Sequence, residues 1–193
     1  RIKIYISPKY LFFLDKIKID DVILNNVNFN LNKNNYDFFI KLLKNNFLNL
    51  NFEINNSNIF YRNVQNNVLF INKIKKLRYY FDSKDQKNTL LAKNEIFNVP
   101  YSIELKEYID EKKIISKINF DYSKLSIINE LRYENSHKNG LIKFIYNKNI
   151  SEGKYEIKKN SFNFNFLDKS LNNNFEYDGE INFIPFFSEI FGN

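Results

Sequence analysis

Cysteine, methionine and tryptophan are absent from this sequence of 193 residues, and histidine occurs once. Because cysteine is absent, the chain forms no disulfide, holds no zinc–cysteine site and has no thiol nucleophile. The one histidine, His137, lies in the polar segment NSHKNG, which we interpret as a turn exposed to solvent. Neither a catalytic-triad motif nor an HExxH motif is present. The sequence therefore predicts a protein that is not an enzyme and that uses no metal and no cofactor.

Glycine and long apolar runs are also scarce. A phosphate-binding loop needs closely spaced glycines, and the four glycines here are widely separated, at Gly140, Gly153, Gly179 and Gly192. The longest compact apolar runs are YLFFL at 10–14 and FIPFF at 183–187. A membrane-spanning helix needs about 18 apolar residues or more. We therefore expect that no helix of this chain spans a membrane.

Positive charge is in excess, with a formal net charge of +7 and an isoelectric point near 9.3. Such a balance suits an anionic partner, either nucleic acid or a surface of lipid head groups. The densest basic run, INKIKKLRYYF at 71–81, mixes lysine and arginine with apolar and aromatic residues. We interpret this run as a strand with a solvated lysine face. A nucleic-acid groove is the third choice among the functions considered, because aromatic residues occur along the whole chain and mark no groove.

Apolar and polar residues alternate over most of the chain. In NLNFEIN at 49–55, Leu50, Phe52 and Ile54 share one parity and the polar residues share the other. The same alternation occurs in VNFNLN at 27–32, ISKINFDYS at 115–123 and SFNFNF at 161–166. A period of two predicts half-buried strands with one apolar face. The segment IFNVPYSIEL at 96–105 would place Phe97, Val99, Tyr101, Ile103 and Leu105 on one face.

Polar or glycine-containing clusters separate these segments and predict turns. The predicted turns lie at 55–58, 64–67, 82–88, 110–113, 135–140, 151–153 and 168–174. Strands that follow one another through such turns indicate an antiparallel meander.

One segment has a helical period instead. In NNYDFFIKLLKNNF, apolar residues recur at Tyr36, Phe39, Ile40, Leu43 and Phe47. An asparagine that can cap the helix precedes them, and an aspartate lies in the first turn, where the helix dipole favours it. The pattern predicts one short amphipathic helix near 36–45, which we expect to cover one end of the sheet.

Two predicted strands are unusually long, at 95–108 and 174–184. The second contains Asp178-Gly179, a dipeptide typical of type I′ hairpin turns. A hairpin there would pair Tyr177 with Glu180, whereas a continuous strand keeps Phe175, Tyr177, Ile181 and Phe183 on one face. We therefore predict a continuous strand. Pro100 cannot donate to a ladder and is expected at an edge, a bulge or an unpaired position.

The partner of the apolar face decides the function. A second layer normally buries such a face, but the single predicted helix is too short to cover strands of this length. The sheet can instead curl around apolar ligands, or it can face a bilayer as an outer-membrane barrel. Tryptophan girdles are missing, so we favour the first solution. The predicted fold is mainly β, a long antiparallel meander curled into an elongated open groove.

The order of these segments resembles the repeat-containing region of the AsmA family. The resemblance is carried by DKIKIDDVILNNVNFNL, LNFEINNSNIFYRNVQNNVLFINKIKKLRYYFD and NTLLAKNEIFNVPYSIEL, and further on by ISKINFDYSKLSIINEL, NGLIKF, KKNSFNFNFLD and EYDGEINFIPFF. It covers roughly residues 15 to 187. AsmA-like and TamB-like proteins are anchored in the inner membrane and extend into the periplasm as a curled sheet with a hydrophobic groove.

The resemblance implies a non-enzymatic periplasmic module that carries phospholipid between the inner and outer membranes, in outer-membrane biogenesis. Residues 1–193 would be a single segment of a longer repetitive protein, anchored through a segment outside this chain. The implied partners are phospholipid acyl chains and other envelope proteins, with no nucleic acid. The alternative is a structural or outer-membrane β-protein with a closed core and no lipid conduction.

The residues expected to line the groove are the apolar members of the alternating segments. They are Leu50, Phe52, Ile54, Val99, Tyr101, Ile103, Leu105, Ile118, Phe120, Phe162, Phe164, Phe166, Phe175, Tyr177, Ile181 and Phe183.

Overall fold

A computed structural model of the chain describes residues 1–6, 19–32, 35, 51–134, 137–147, 149–158, 161–168, 175–183 and 186–192. Fourteen strands and no helix occur among these residues, so no helix in this part of the chain could cross a membrane. The prediction of a mainly β protein is confirmed. The short helix predicted near 36–45 lies outside the described residues and is not confirmed.

The strands are rich in isoleucine, phenylalanine, tyrosine and asparagine, and the first three types fit a pleated, half-buried surface. Their bounds are β1 Ile2–Ile6, β2 Ile19–Asn25, β3 Asn28–Leu31, β4 Asn51–Arg62, β5 Val68–Asp82, β6 Lys87–Ile96, β7 Val99–Tyr108, β8 Lys113–Phe120, β9 Leu125–Glu134, β10 His137–Tyr146, β11 Asn149–Ile157, β12 Ser161–Asp168, β13 Phe175–Phe183 and β14 Phe186–Gly192.

The strands form one sheet in the order β1-β2-β4-β5-β6-β7-β8-β9-β10-β11-β12-β13-β14, with β3 paired to β4 beside β2. From β4 onward each strand neighbours the next one in sequence, and the pairings with a defined register are antiparallel. The predicted meander is therefore confirmed for this part. It is wrong at the start, where β2 and β3 both run parallel to β4. A parallel pair needs a long crossover connection, and residues 32–50 separate β3 from β4.

Contacts within the chain group it into two compact units, residues 1–104 and residues 105–193, called unit 1 and unit 2 below. Only three hydrophobic residues among those described are buried, namely Ile54, Ile74 and Ala92. All three lie in unit 1, on β4, β5 and β6. In each unit, the described strands contact chiefly their neighbours in the sheet. Among the described residues, the buried hydrophobic side chains are thus confined to unit 1.

Turns are made largely without glycine. No described glycine has a positive φ, whereas nine other residues do, and five of those nine are asparagines. Asparagine tolerates the left-handed region better than most residues because its short side chain bonds to the local backbone. The predicted turns at 64–67, 82–88 and 110–113 are confirmed, since a turn lies within each cluster.

Two predicted turns are wrong. The segments 55–58 and 151–153 lie inside β4 and β11. His137 is also placed differently, because it begins β10 with Glu134 as its register partner rather than lying in the turn. Most of the cluster at 168–174 lies outside the described residues.

The two long strands have different outcomes. The strand predicted at 174–184 is confirmed as β13, which runs through Asp178 and Gly179 without a reversal. The strand predicted at 95–108 is wrong, because β6 ends at Ile96 and β7 begins at Val99. Phe97 and Asn98 form the two-residue turn between them, with φ of 50° and 62°. Both values are positive, as a type I′ turn requires. No reversal occurs at Pro100, which is the second residue of β7.

Candidate functional site

Strand register in unit 1 gathers apolar side chains on one face, called the unit 1 apolar face. Phe52 and Ile54 of β4 pair with Tyr79 and Leu77 of β5 on one side. On the other side they pair with Val22 and Leu24 of β2. Residues directly opposite each other in a sheet share a face. The alternation seen in the sequence is thus repeated across three neighbouring strands.

The alternation shifts by one residue in the middle of β4 and β5. Ile54 and Ser57 are both buried although they lie three positions apart, and Asn56 between them has a φ of 47°. In β5, consecutive Lys75 and Lys76 are both exposed, and the register to β6 slips at that point. The slip between β5 and β6 is a β-bulge. The β4–β5 register continues unshifted from Asn55–Lys76 to Ser57–Ile74, so Asn56 lies opposite the break in β5 and both strands return to the same apolar face.

The opposite face of unit 1 is charged. Glu95 lies 2.6 Å from the Nζ of Lys73 and 3.3 Å from that of Lys75, while Glu53 contacts Lys76 at 4.0 Å and Arg78 at 3.6 Å. Hydrogen bonds from the two lysines hold the pKa of the Glu95 carboxyl below its usual value. Five cations against two carboxylates leave a surplus of positive charge. The basic stripe, as we call it, comprises Lys73, Lys75, Lys76, Arg78 and Lys93.

In unit 2, strand register defines a second apolar face, called the unit 2 apolar face. Phe162, Phe164 and Phe166 of β12 are separated by ring-centroid distances of 5.8 Å and 5.5 Å. Phe166 also approaches Phe144 of β10 at 6.1 Å, and Phe162 approaches Tyr155 of β11 at 5.4 Å. Aromatic pairs at these distances attract beyond their buried area. The result is a connected aromatic surface across β10, β11 and β12.

Glycines on this face lie opposite aromatic residues. Gly140 pairs with Tyr155, Gly153 with Phe166 and Gly179 with Phe164. A Cβ placed on Gly153 would lie 2.1 Å from the Phe166 ring, and one on Gly140 would lie 2.0 Å from the Tyr155 ring. The missing Cβ atoms therefore let these two rings lie over the neighbouring strand, along the sheet.

Polar groups on the two apolar faces are mostly paired. The Tyr101 hydroxyl donates to Asn72 Oδ1 at 3.1 Å in unit 1. In unit 2 the Tyr155 hydroxyl donates to Asn129 Oδ1 at 2.7 Å. Burial raises the pKa of the Tyr155 hydroxyl, and the Asn129 hydrogen bond offsets part of that shift. The buried Oδ1 of Asn94 has no hydrogen-bond partner among the described residues.

Exposure differs between the two apolar faces. Unit 1 buries Ile54, Ile74 and Ala92 on its apolar face. In the described part of unit 2 no hydrophobic side chain is buried, and Tyr177 remains 42% exposed. The aromatic surface of unit 2 is therefore half-exposed. No second layer from the described residues covers it.

The residues predicted to line a groove fall into three groups. Phe52, Ile54, Tyr101 and, by strand parity, Val99 and Ile103 share the unit 1 apolar face. The unit 2 apolar face carries Leu105, Ile118, Phe120, Phe162, Phe164, Phe166, Tyr177 and Ile181. Leu50 lies outside the described residues, and Phe175 and Phe183 are the end residues of β13. Phe97, predicted to share the face of Val99, lies in the turn instead.

Several residues of the unit 2 apolar face escaped the sequence reasoning. Ile127, Phe144 and Tyr155 belong to it by register. In SIINEL and GLIKFIY, apolar residues occupy both parities, so neither parity was distinguished. The face of Phe144 is identified only by its contact with Phe166, and that of Ile127 only by its pairing with Ile118. The glycine opposite Tyr155 was a usable signal, because a strand glycine often accommodates a neighbouring ring.

Comparison with protein-family models, with curated proteins and with solved structures found no match. The resemblance to the AsmA family therefore stays a prediction. No group of three or more histidine, aspartate and glutamate residues that could hold a metal ion occurs in the described part of the chain.

Proposed function

We propose that this chain is a non-enzymatic lipid-binding module whose apolar faces contact the acyl chains of phospholipid. The unit 2 apolar face would be the principal surface. In this proposal the sheet curls around the lipid as an elongated open groove and carries phospholipid between the inner and outer membranes. The periplasmic location, the membrane anchor outside this chain and envelope-protein partners follow from the AsmA-like sequence pattern.

One observation carries the proposal. The unit 2 apolar face is aromatic and half-exposed, while the other face of the same strands carries ion pairs such as Lys143–Glu152 at 2.8 Å. A soluble protein rarely leaves a large contiguous apolar surface open to water unless something binds there. Each methylene removed from water contributes about 0.8 kcal/mol, so acyl chains are a favourable cover.

The chemistry of the face suits a lipid more than a small polar ligand. Its rings offer area without a fixed set of hydrogen-bond donors, and the paired hydroxyls of Tyr133 and Tyr155 already have acceptors. Such a surface holds hydrocarbon without a preferred position along the chain. The excess of positive charge favours anionic head groups.

The experiment compares two neighbouring isoleucines of β9. Ile127 lies on the apolar face between Ile118 and Phe144. Ile128 lies on the other face between Lys117 and Lys143. Ile127→Asp places a carboxylate among hydrocarbon, which is costly without a partner, whereas Ile128→Asp places the same group between two lysines. Both variants lose the same side chain.

We expect phospholipid to co-purify with the wild-type protein and with Ile128→Asp, and to be lost from Ile127→Asp. Lipid extraction followed by mass spectrometry measures the ratio of lipid to protein. Circular dichroism checks that both variants keep the sheet. Equal lipid content in the two variants would refute the proposal. Self-association that Ile127→Asp abolishes, without any bound lipid, would favour the structural alternative with a closed core.

A further inference from the structure

A cluster of exposed apolar residues lies at one end of unit 1 and includes none of the residues assigned above to the apolar faces. Val64 is 80% exposed, Val68 43%, Leu69 60% and Phe97 75%. Val64 belongs to the β4–β5 turn and Phe97 to the β6–β7 turn. The register partner of Asn72 is Ile96, so these two turns lie at the same end of the strands. We call these four residues the apolar tip.

Phe97 is in an unusual conformation. Its φ of 50° lies in the left-handed region, where a bulky aromatic residue is an outlier. The first position of a type I′ turn favours asparagine, aspartate or glycine. Turn formation alone therefore does not explain a phenylalanine at this position. Backbone strain of this kind is a reason to look for function.

The Phe97 ring is also supported from one side. Its centroid lies 6.2 Å from that of Phe70, which stacks on Tyr61 at 4.2 Å. These contacts hold the ring at the end of the sheet while most of its surface faces solvent. A shallow depression of about 360 Å³ beside it is lined by Leu69, Ile71, Lys73 and Glu95, among others. The apolar tip thus adjoins the first cation of the basic stripe.

The basic stripe continues from this point along β5. From Lys73 to Arg78 the strand advances roughly 16 Å at about 3.3 Å per residue. The stripe keeps a positive surplus after its pairing with Glu53 and Glu95. Lys93 is the register partner of Lys76, which places a further cation on this face. Exposed Leu91 lies opposite Arg78 on the same face.

We propose that the apolar tip and the basic stripe together dock unit 1 onto the surface of an anionic lipid bilayer. Apolar side chains that enter the head-group region, flanked by lysine and arginine, are the two signals that peripheral membrane binding combines. The positive surplus of the basic stripe favours an anionic bilayer over a neutral one. Phe97 is a membrane-inserting residue, and its strained turn presents the ring to the lipid.

The test is flotation of the purified protein with vesicles of phosphatidylcholine alone and of phosphatidylcholine mixed with phosphatidylglycerol. Wild type binds the mixed vesicles more tightly, and added salt weakens this binding. Phe97→Asn removes the ring and installs a residue that type I′ turns favour. We expect its binding to fall about tenfold or more while its melting temperature stays equal or rises. Lys93→Gln lowers binding roughly fivefold.

A matched control uses Tyr122, which is 82% exposed in the β8–β9 turn of unit 2. Tyr122→Asn removes another exposed aromatic residue and leaves vesicle binding unchanged. Wild-type binding by Phe97→Asn, or equal binding to neutral and anionic vesicles, would overturn the proposal. A second contradicting result would come from analytical ultracentrifugation: a wild-type dimer that the Phe97→Asn substitution dissociates, with no change in vesicle binding. Lysine-dependent binding of a single-stranded oligonucleotide in place of vesicles would also overturn it.

This docking does not depend on acyl binding by unit 2, because different residues carry the two proposals. Ile127→Asp should lose co-purified lipid and keep vesicle docking. Phe97→Asn should keep co-purified lipid and lose vesicle docking.

Discussion

At the scale of single residues, Gly153 allows a close approach between neighbouring strands that a side chain would prevent. It lies in the middle of β11, and the Phe166 ring occupies the position where a Cβ would be. A glycine in a strand normally weakens it, because alanine loses less entropy on folding. Here the ring needs the space, so the two effects of a substitution oppose each other.

Gly153→Ala tests which effect is larger. Strand propensity alone predicts stabilisation by about 0.5–1 kcal/mol, whereas displacement of the Phe166 ring predicts destabilisation by about 1–3 kcal/mol. We expect destabilisation, because the new Cβ would lie 2.1 Å from two carbons of the Phe166 ring and 2.8 Å from a third. Urea denaturation measures the free energy of unfolding. Lys154→Ala, the next residue on the opposite face, is the control and should change stability little. A more stable Gly153→Ala variant would contradict the proposed ring position.

A second residue-scale prediction concerns Tyr133, whose hydroxyl donates to the Glu107 carboxylate at 3.3 Å. Burial first, and then the negative charge of Glu107, raise the pKa of Tyr133 above its ordinary value near 10. The unfolded chain therefore loses this proton at a lower pH than the folded chain. The stabilisation is complete below about pH 10 and is lost as the pH rises through the folded pKa.

Tyr133→Phe should accordingly lose less stability than wild type as the pH is raised above 10. Urea midpoints measured between neutral pH and pH 11 give the two slopes, and the difference between them isolates Tyr133 from the lysines and other tyrosines. Tyr122→Phe, at a position 82% exposed, serves as the control and keeps the wild-type slope. Parallel curves for Tyr133→Phe and wild type would contradict the assigned environment.

At the scale of strands, the break in β4 explains where sequence reasoning succeeded and where it failed. Alternation correctly placed Phe52 and Ile54 on the same face of the sheet, because the parity is uninterrupted up to that point. The cluster NNSN then predicted a turn. In the structure Asn56 instead adopts a φ of 47° inside the strand, and Ser57 returns to the apolar face. Asparagine thus adopts a positive φ both in turns and inside a strand of this chain, and its presence alone does not distinguish the two.

The turn at Phe97 and Asn98 was missed for a related reason. A phenylalanine continued the alternating pattern, so 96–105 was interpreted as one strand. A positive φ is rare for a bulky residue such as Phe97, so its residue type gave no signal of the turn. Conversely, Asp178-Gly179 has a turn sequence but lies inside β13, where Gly179 pairs with Phe164 of β12. The parity of the flanking aromatic residues predicted this continuous strand correctly, whereas the Asp-Gly dipeptide indicated a turn.

The left-handed conformation of Asn56 inside β4 gives a prediction for this element. Asn56→Ala should destabilise the protein by about 1–2 kcal/mol, because alanine in the left-handed region places its Cβ too close to the backbone. Asn56→Gly should change the free energy of unfolding by less than about 0.5 kcal/mol, since glycine adopts this conformation freely. Urea denaturation of both variants gives the comparison. An equal effect of the two substitutions would mean that backbone conformation does not limit stability at this position.

At the scale of the whole molecule, the two units differ in how they protect their strands from water. Unit 1 buries Ile74 and Ala92 at its centre, whereas the described part of unit 2 buries no hydrophobic side chain. Strands that contact chiefly their sheet neighbours resemble the units of a repeat protein, whose stability is a sum of local terms. Opening can then occur in one region while another stays folded.

Hydrogen exchange should therefore be slowest in β5 and β6 of the lipid-free protein and faster in β9 to β12. Added phospholipid should slow exchange in β9 to β12, because a ligand that binds only the folded face stabilises it in proportion to its occupancy. In the Ile127→Asp variant the lipid-free pattern should persist in unit 1 and the lipid-dependent slowing should disappear. Mass spectrometry of peptides from each strand resolves the two units. If lipid leaves β9 to β12 unchanged, the unit 2 apolar face is not where acyl chains bind, and its exposed rings need another partner.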